Sequence, residues 1–142
     1  MTEQIAESFN RIFWHDSKLR SLRTRRHKDL DEVLLHVELR GVSEEELTPM
    51  TVVFEDAVFF FCDIDLQGKR ECSDDISGGT CEVKSDLMTK LQNERLKYSP
   101  DALAGYFHFS VYLIHPGGTV EVIASSFRLE KRTNPEGRPT VT

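Results

Sequence analysis

Asp63 and Asp65 flank Ile64 in a segment with strand character, and residues two apart in a strand share a face, about 6 to 7 Å from one another. Carboxylates at that separation can hold a divalent cation or share a proton with a substrate. They also serve as a solvated face or as partners for arginine, and no glycine-rich phosphate cradle accompanies them. His15, Asp16 and Ser17 have the residue types of a hydrolytic triad. A triad, however, needs members that converge in space, whereas consecutive residues of an extended chain point to opposite sides. Asp16 and Ser17 are turn formers and Trp14 suits the edge of a core, so a turn is the expectation there. His36 and His108 fall on the less apolar faces of their strands and are expected as solvent-facing or singly hydrogen-bonded imidazoles. No residue is assigned a catalytic, cofactor-binding or metal-ligating role.

The charges are strongly segregated. From Lys18 to Lys28 there are six bases and no acid, while Asp29 to Asp86 holds sixteen acids against four bases. Arg20, Arg23, Arg25 and Arg26 resemble a nucleic-acid stripe only in isolation, because no aromatics interleave them for base stacking and Glu38 in the next strand offers a counterion. A net charge of -6 repels polyanions and favours a basic partner.

A chain of 142 residues fits one domain over 1–142, and such a domain buries about 70% of its unfolded surface. Its 39% hydrophobic residues, nine of the total being Phe, are enough for a core. The three cysteines, Cys62, Cys72 and Cys81, lack the close pairing of zinc or redox motifs and read as reduced thiols, Cys62 buried in its apolar run. No apolar stretch approaches the roughly 18 residues that cross a bilayer, and the start lacks the pattern of a signal peptide, so cytoplasmic residence is expected.

The elements that must position these groups follow from periodicity. Ile5, Phe9, Ile12 and Phe13 define one face of a helix over 2–13. A strand follows over 18–27, where the spacing of Leu19 and Leu22 requires either a bulge or an initial helical turn. Val33, Leu35, Val37 and Leu39 alternate in the next strand, and Ser43 to Leu47 has the character of a helix start cut short by Pro49. Met50, Val52 and Phe54 form a third strand. In the fourth, over 58–66, Phe60 faces the core while Phe59 and Phe61 share the other face with Asp63 and Asp65, a pattern expected of a central strand under a second layer. Residues 67–84 read as a long flexible loop with a brief extended piece at Ile76. Ser85 caps a helix to Lys97, and a hairpin pairs 107–114 with a single strand over 119–131 before a frayed tail at 133–142.

The segment Phe13-Trp14-His15-Asp16-Ser17-Lys18-Leu19, with Val53-Phe54-Glu55-Asp56-Ala57 and the late hairpin, resembles a loose group of small bacterial α+β proteins, some grouped with the immunity proteins of polymorphic toxin systems. That resemblance implies a cytosolic domain without cofactor that neutralises a toxin, and it carries over no catalytic residue. The expected fold is therefore α+β, a mostly antiparallel sheet of about six strands with two helices packed on it. The leading function is a noncatalytic protein-binding domain, an immunity-like inhibitor, whose interaction surface is Phe59, Phe61, Asp63 and Asp65. The partner is another protein of basic character rather than nucleic acid or membrane. The rival readings are a small enzyme using Asp63 and Asp65, and a homodimer joined through the exposed sheet face.

Overall fold

Phe9 is the residue around which the molecule is wrapped. It is fully buried, with the rings of Trp14, Phe54, Phe109 and Phe127 at centroid distances of 5.2, 6.1, 5.0 and 5.1 Å. A computed structural model of the chain describes residues 2–40, 46–64, 75–114 and 118–131. Phe9 lies on α1 (Thr2–Asn10), a helix too short to persist alone, which is held by burying Ala6 and Phe9 against the sheet. At its end, the Asn10 amide donates to the Cys81 carbonyl at 3.2 Å and accepts from the Cys81 N–H at 2.7 Å, tying α1 to a strand residue 71 positions away.

The strands are β1 (Ser17–His27), β2 (Leu30–Leu39), β3 (Thr48–Glu55), β4 (Phe59–Ile64), β5 (Asp75–Glu82), β6 (Phe107–Leu113), β7 (Gly118–Ala124) and β8 (Ser126–Lys131), with α2 (Asp86–Glu94) between β5 and β6. All pairings are antiparallel, in the order β4-β7-β6-β5-β1-β2-β3-β8. The two ends of that order meet, because Ser125 alone separates β7 from β8, and Asp56 to Val58 alone separate β3 from β4. Val58 N–H donates to the Ile123 carbonyl at 2.8 Å and Ser125 N–H to the Glu55 carbonyl at 3.0 Å, so one bent two-stranded ribbon closes the sheet around α1. Inward side chains from β1, β2, β3, β5, β6 and β7 join α1 in a single core cluster, with Phe60 and Ile64 of β4 and Phe127 of β8 packed partly buried against it.

The α+β class, the two helices and the antiparallel sheet are as expected, but the described residues form eight strands rather than about six. The expected strand over 119–131 is broken by the bend at Ser125, and the second half of the expected 67–84 loop is β5. Two glycines made β5 look like a loop. In fact a Cβ at Gly79 would lie 2.6 Å from Trp14 Nε1, so glycine is what lets the indole lie on this strand. Residues 65–74 and 132–142 lie outside the described residues, as do 41–45, which hold most of the expected helix start after Gly41. The sheet bulges between Leu19 and Ser21, resolving the irregular spacing of Leu19 and Leu22. β4 is not central: among the described strands it pairs with β7 alone. Its Cys62 is exposed rather than buried, because inward residues of an edge strand are covered on one side only. Cys81 is the buried thiol, pushed up to about 12 by burial and then by the charge of Glu82. Among the described residues no helix is long and apolar enough to cross a membrane.

Candidate functional site

The outer face of β4, β7, β6 and β5 combines exposed aromatics, carboxylates and a buried histidine. Register places Phe59 beside Ile123, Phe61 beside Glu121 and Asp63 beside Thr119, so the three described residues of the four expected on one face of β4 do share it. α2 covers the first of them. Met88, Leu91 and Ile123 form a second buried cluster, against which Phe59, Leu87, Leu103 and Tyr106 pack. Ser85 starts the helix as its N-cap, accepting the Met88 N–H at 3.1 Å. The layer is also tied at its far side, where the Tyr106 hydroxyl donates to Asp56 Oδ2 at 2.6 Å. That bond, with burial and the charge of Asp56, pushes the phenol up to about 12.

Beyond the end of the helix layer, Phe61 is 47% exposed and Asp63 is exposed without an ion pair among the described residues. Asp65 lies outside the described residues. Between β4 and α2 run two adjoining hollows of about 240 and 340 Å³ that share Phe59, Leu91 and Arg95. Lys90 of the helix and Arg95 at its C-cap flank this groove together with Glu94 and Glu121. The surface is therefore of mixed sign rather than purely acidic. The helix cations were missed because only the docking of α2 brings them beside β4.

His108 departs furthest from expectation. Instead of facing solvent or making a single bond it is 6% exposed, beneath the start of α2. Its Nδ1 lies 2.8 Å from Ser85 Oγ, and its Nε2 lies 3.0 Å from Glu121 Oε1 and 3.3 Å from Ser110 Oγ. His108 pairs in register with Ile123, which makes Glu121 its diagonal neighbour, close enough for a long side chain to reach. The outward parity of His108, Ser110 and Glu121 was legible in the hairpin, but the arrival of Ser85 was not. His36 has a different role in the other half of the sheet, where its Nδ1 lies 3.1 Å from Thr51 Oγ1, and strands β5 and β1 separate it from the strand of His108.

The two segments with the most suggestive composition make turn contacts and cross-strand pairs. Asp16 takes a left-handed turn at φ 65°, Asp16 N–H donates to the Ile76 carbonyl, and Ser17 Oγ accepts the Arg40 N–H at 3.0 Å. His15 and Asp16 meet at 3.1 Å on the surface, while Ser17 points into the sheet. Four of the five Lys and Arg side chains of β1 form ion pairs with neighbouring strands, Lys18 with Asp75, Arg20 with Glu38, Arg25 with Glu32 and Arg26 with Asp31. Among the described residues no three His, Cys, Asp or Glu side chains converge on a metal position. No family model, curated protein or solved structure matches this chain.

Proposed function

We propose that the chain is a cytosolic protein-binding domain of a bacterium, an immunity-like inhibitor that occupies another protein through the noncatalytic Phe59, Phe61 and Asp63 surface. The observation that carries this reading is Phe61, nearly half exposed on a strand that pairs with β7 alone among the described strands, beside Asp63, which has no ion pair among the described residues, and the groove under α2. An aromatic anchor rimmed by charge is the composition from which interface hot spots are built. Asp63 and Glu121 steer a basic region of the partner toward Phe61, and Lys90 and Arg95 select for an acid at the other border. The resemblance carried by Phe13 to Leu19 supports the immunity-like role.

The test uses matched baits, the wild type and a Phe61→Asp/Asp63→Lys variant of equal thermal stability. A protein retained only by the wild type is then purified and titrated against both. Submicromolar, salt-sensitive one-to-one binding lost in the variant supports the proposal, as does relief of that protein's toxicity when both are expressed in bacterial cells. Equal binding by both baits, or no saturable complex, overturns it.

A further inference from the structure

We infer that Ser85, His108 and Glu121 form an acyl-transfer centre, with Ser85 as nucleophile, His108 as its general base and Glu121 as the group that positions the imidazole. The hydrogen bonds leave one neutral arrangement that pairs every member. Ser85 Oγ already accepts the Met88 N–H, so its own proton is free to be donated to His108 Nδ1 at 2.8 Å. Nε2 then carries the ring hydrogen and donates it to Glu121 Oε1 at 3.0 Å. A nucleophile held on a base that a third group orients is the general pattern of covalent catalysis. Capping α2 requires only the acceptance from Met88, whereas the buried imidazole behind Ser85 places a base on the hydroxyl proton.

The site also opens onto space for a substrate. Ser85 borders a cavity of about 420 Å³ on the flank of α2 away from Phe61, with Met88, Leu103, Ala104 and Tyr106 as apolar walls and Lys84 and Asn93 among its polar ones. A carboxylic ester with a short apolar acyl chain fits this lining. Attack of Ser85 Oγ on the carbonyl carbon forms the C–O bond as the hydroxyl proton passes to His108 Nδ1. The carbonyl electron pair moves to oxygen, and the donors assigned to it are the first-turn N–H groups other than that of Met88, which is held by Ser85 Oγ. Collapse breaks the bond to the alcohol, which leaves with the proton from His108. Water, deprotonated by the same nitrogen, then releases the acid and restores Ser85. The net reaction is ester plus water to acid plus alcohol. The binding proposal rests on the Phe61 flank of the helix and shares only Glu121 with this centre, so labelling of Ser85 and loss of binding on changing Phe61 and Asp63 are read separately.

A fluorophosphonate probe, which phosphonylates activated serines with loss of fluoride, tests the inference on the full chain. The expected result is one label per chain, located by peptide mass spectrometry on Ser85, absent in Ser85→Ala and slowed at least a hundredfold in His108→Asn. Glu121→Gln should slow labelling about tenfold and displace its pH profile, an effect that a merely structural contact would not produce. Because Ser85→Ala removes a helix cap, circular dichroism must show each variant folded. His108→Asn, which leaves the cap intact, is decisive where Ser85→Ala is not. No labelling of folded wild type, or labelling that survives His108→Asn at the wild-type rate, overturns the inference.

Discussion

The two halves of the sheet use the same inward alternation and opposite outward strategies. On the β1, β2, β3 and β8 half, the outer face seals itself with ions. Arg25 Nε donates to Glu32 at 2.7 Å, and Arg128 reaches Glu32, Glu55 and Glu130 at 3.4, 2.9 and 2.9 Å. Within this lattice Leu34 and Val53 are buried without either described helix over them, flanked in register by Arg23 and Arg128. Long stems of that kind cover apolar surface while their charged heads stay in water. On the β4, β7, β6 and β5 half a helix does the covering. Where it ends, an aromatic and a carboxylate remain open. Self-satisfied charges leave little for a partner, so the functional readings belong to the second half.

The largest test of this contrast is Phe9→Ala, which removes the ring both halves share. It should cost about 3 to 5 kcal/mol in denaturant unfolding, as a buried aromatic leaves both lost transfer energy and a cavity. A loss confined to one half, seen as two separate melting steps, would break the picture of one closed sheet.

The ionic half is probed through Glu32, whose side chain is 5% exposed. Burial by itself would raise its carboxyl, but hydrogen bonds and charge from Arg25 and then Arg128 outweigh this and hold it below 4.5. Its contribution is therefore complete above its unfolded value and is lost as pH falls through the lowered folded one. Glu32→Gln should cost about 2 kcal/mol at neutral pH. It should also flatten the fall in stability below about pH 4.5 that the wild type shows in pH-dependent melts. An unchanged acid profile would show that the lattice is decorative.

On the helix-covered half, Tyr106→Phe removes the tie to Asp56 and should cost about 1 kcal/mol. Because the phenol is raised from 10 to about 12, its contribution is present below pH 10 and disappears as pH rises through 12. Tyrosinate absorbance in an alkaline titration should show one late group in the wild type that is missing in the variant. The smallest effect is expected at the open end, where Asp63→Asn should change stability by less than about 0.5 kcal/mol. Urea melts that show a larger loss would mean that this carboxylate is structural and would remove it from the interaction surface.

Local pattern carried much of this organisation. The alternation of Val33, Leu35 and Val37, of Phe107, Phe109 and Val111, and the cap at Ser85 depend on residues within a few positions, so β2, β6 and the start of α2 were legible along the chain. The pairing of the Arg-rich strand with its acidic neighbour was also legible, since a short hairpin leaves it little choice of partner. Tertiary structure decided what depends on distant groups. Trp14 lying on Gly79 turned an apparent loop into β5, and the bend at Ser125 closed the sheet and left β4 as an edge with Cys62 exposed. Likewise, Ser85 and Glu121 reach His108 from 23 and 13 residues away, one through helix docking and the other through strand register. Periodicity records which side of an element a residue faces, whereas the group it meets there is set by long-range packing.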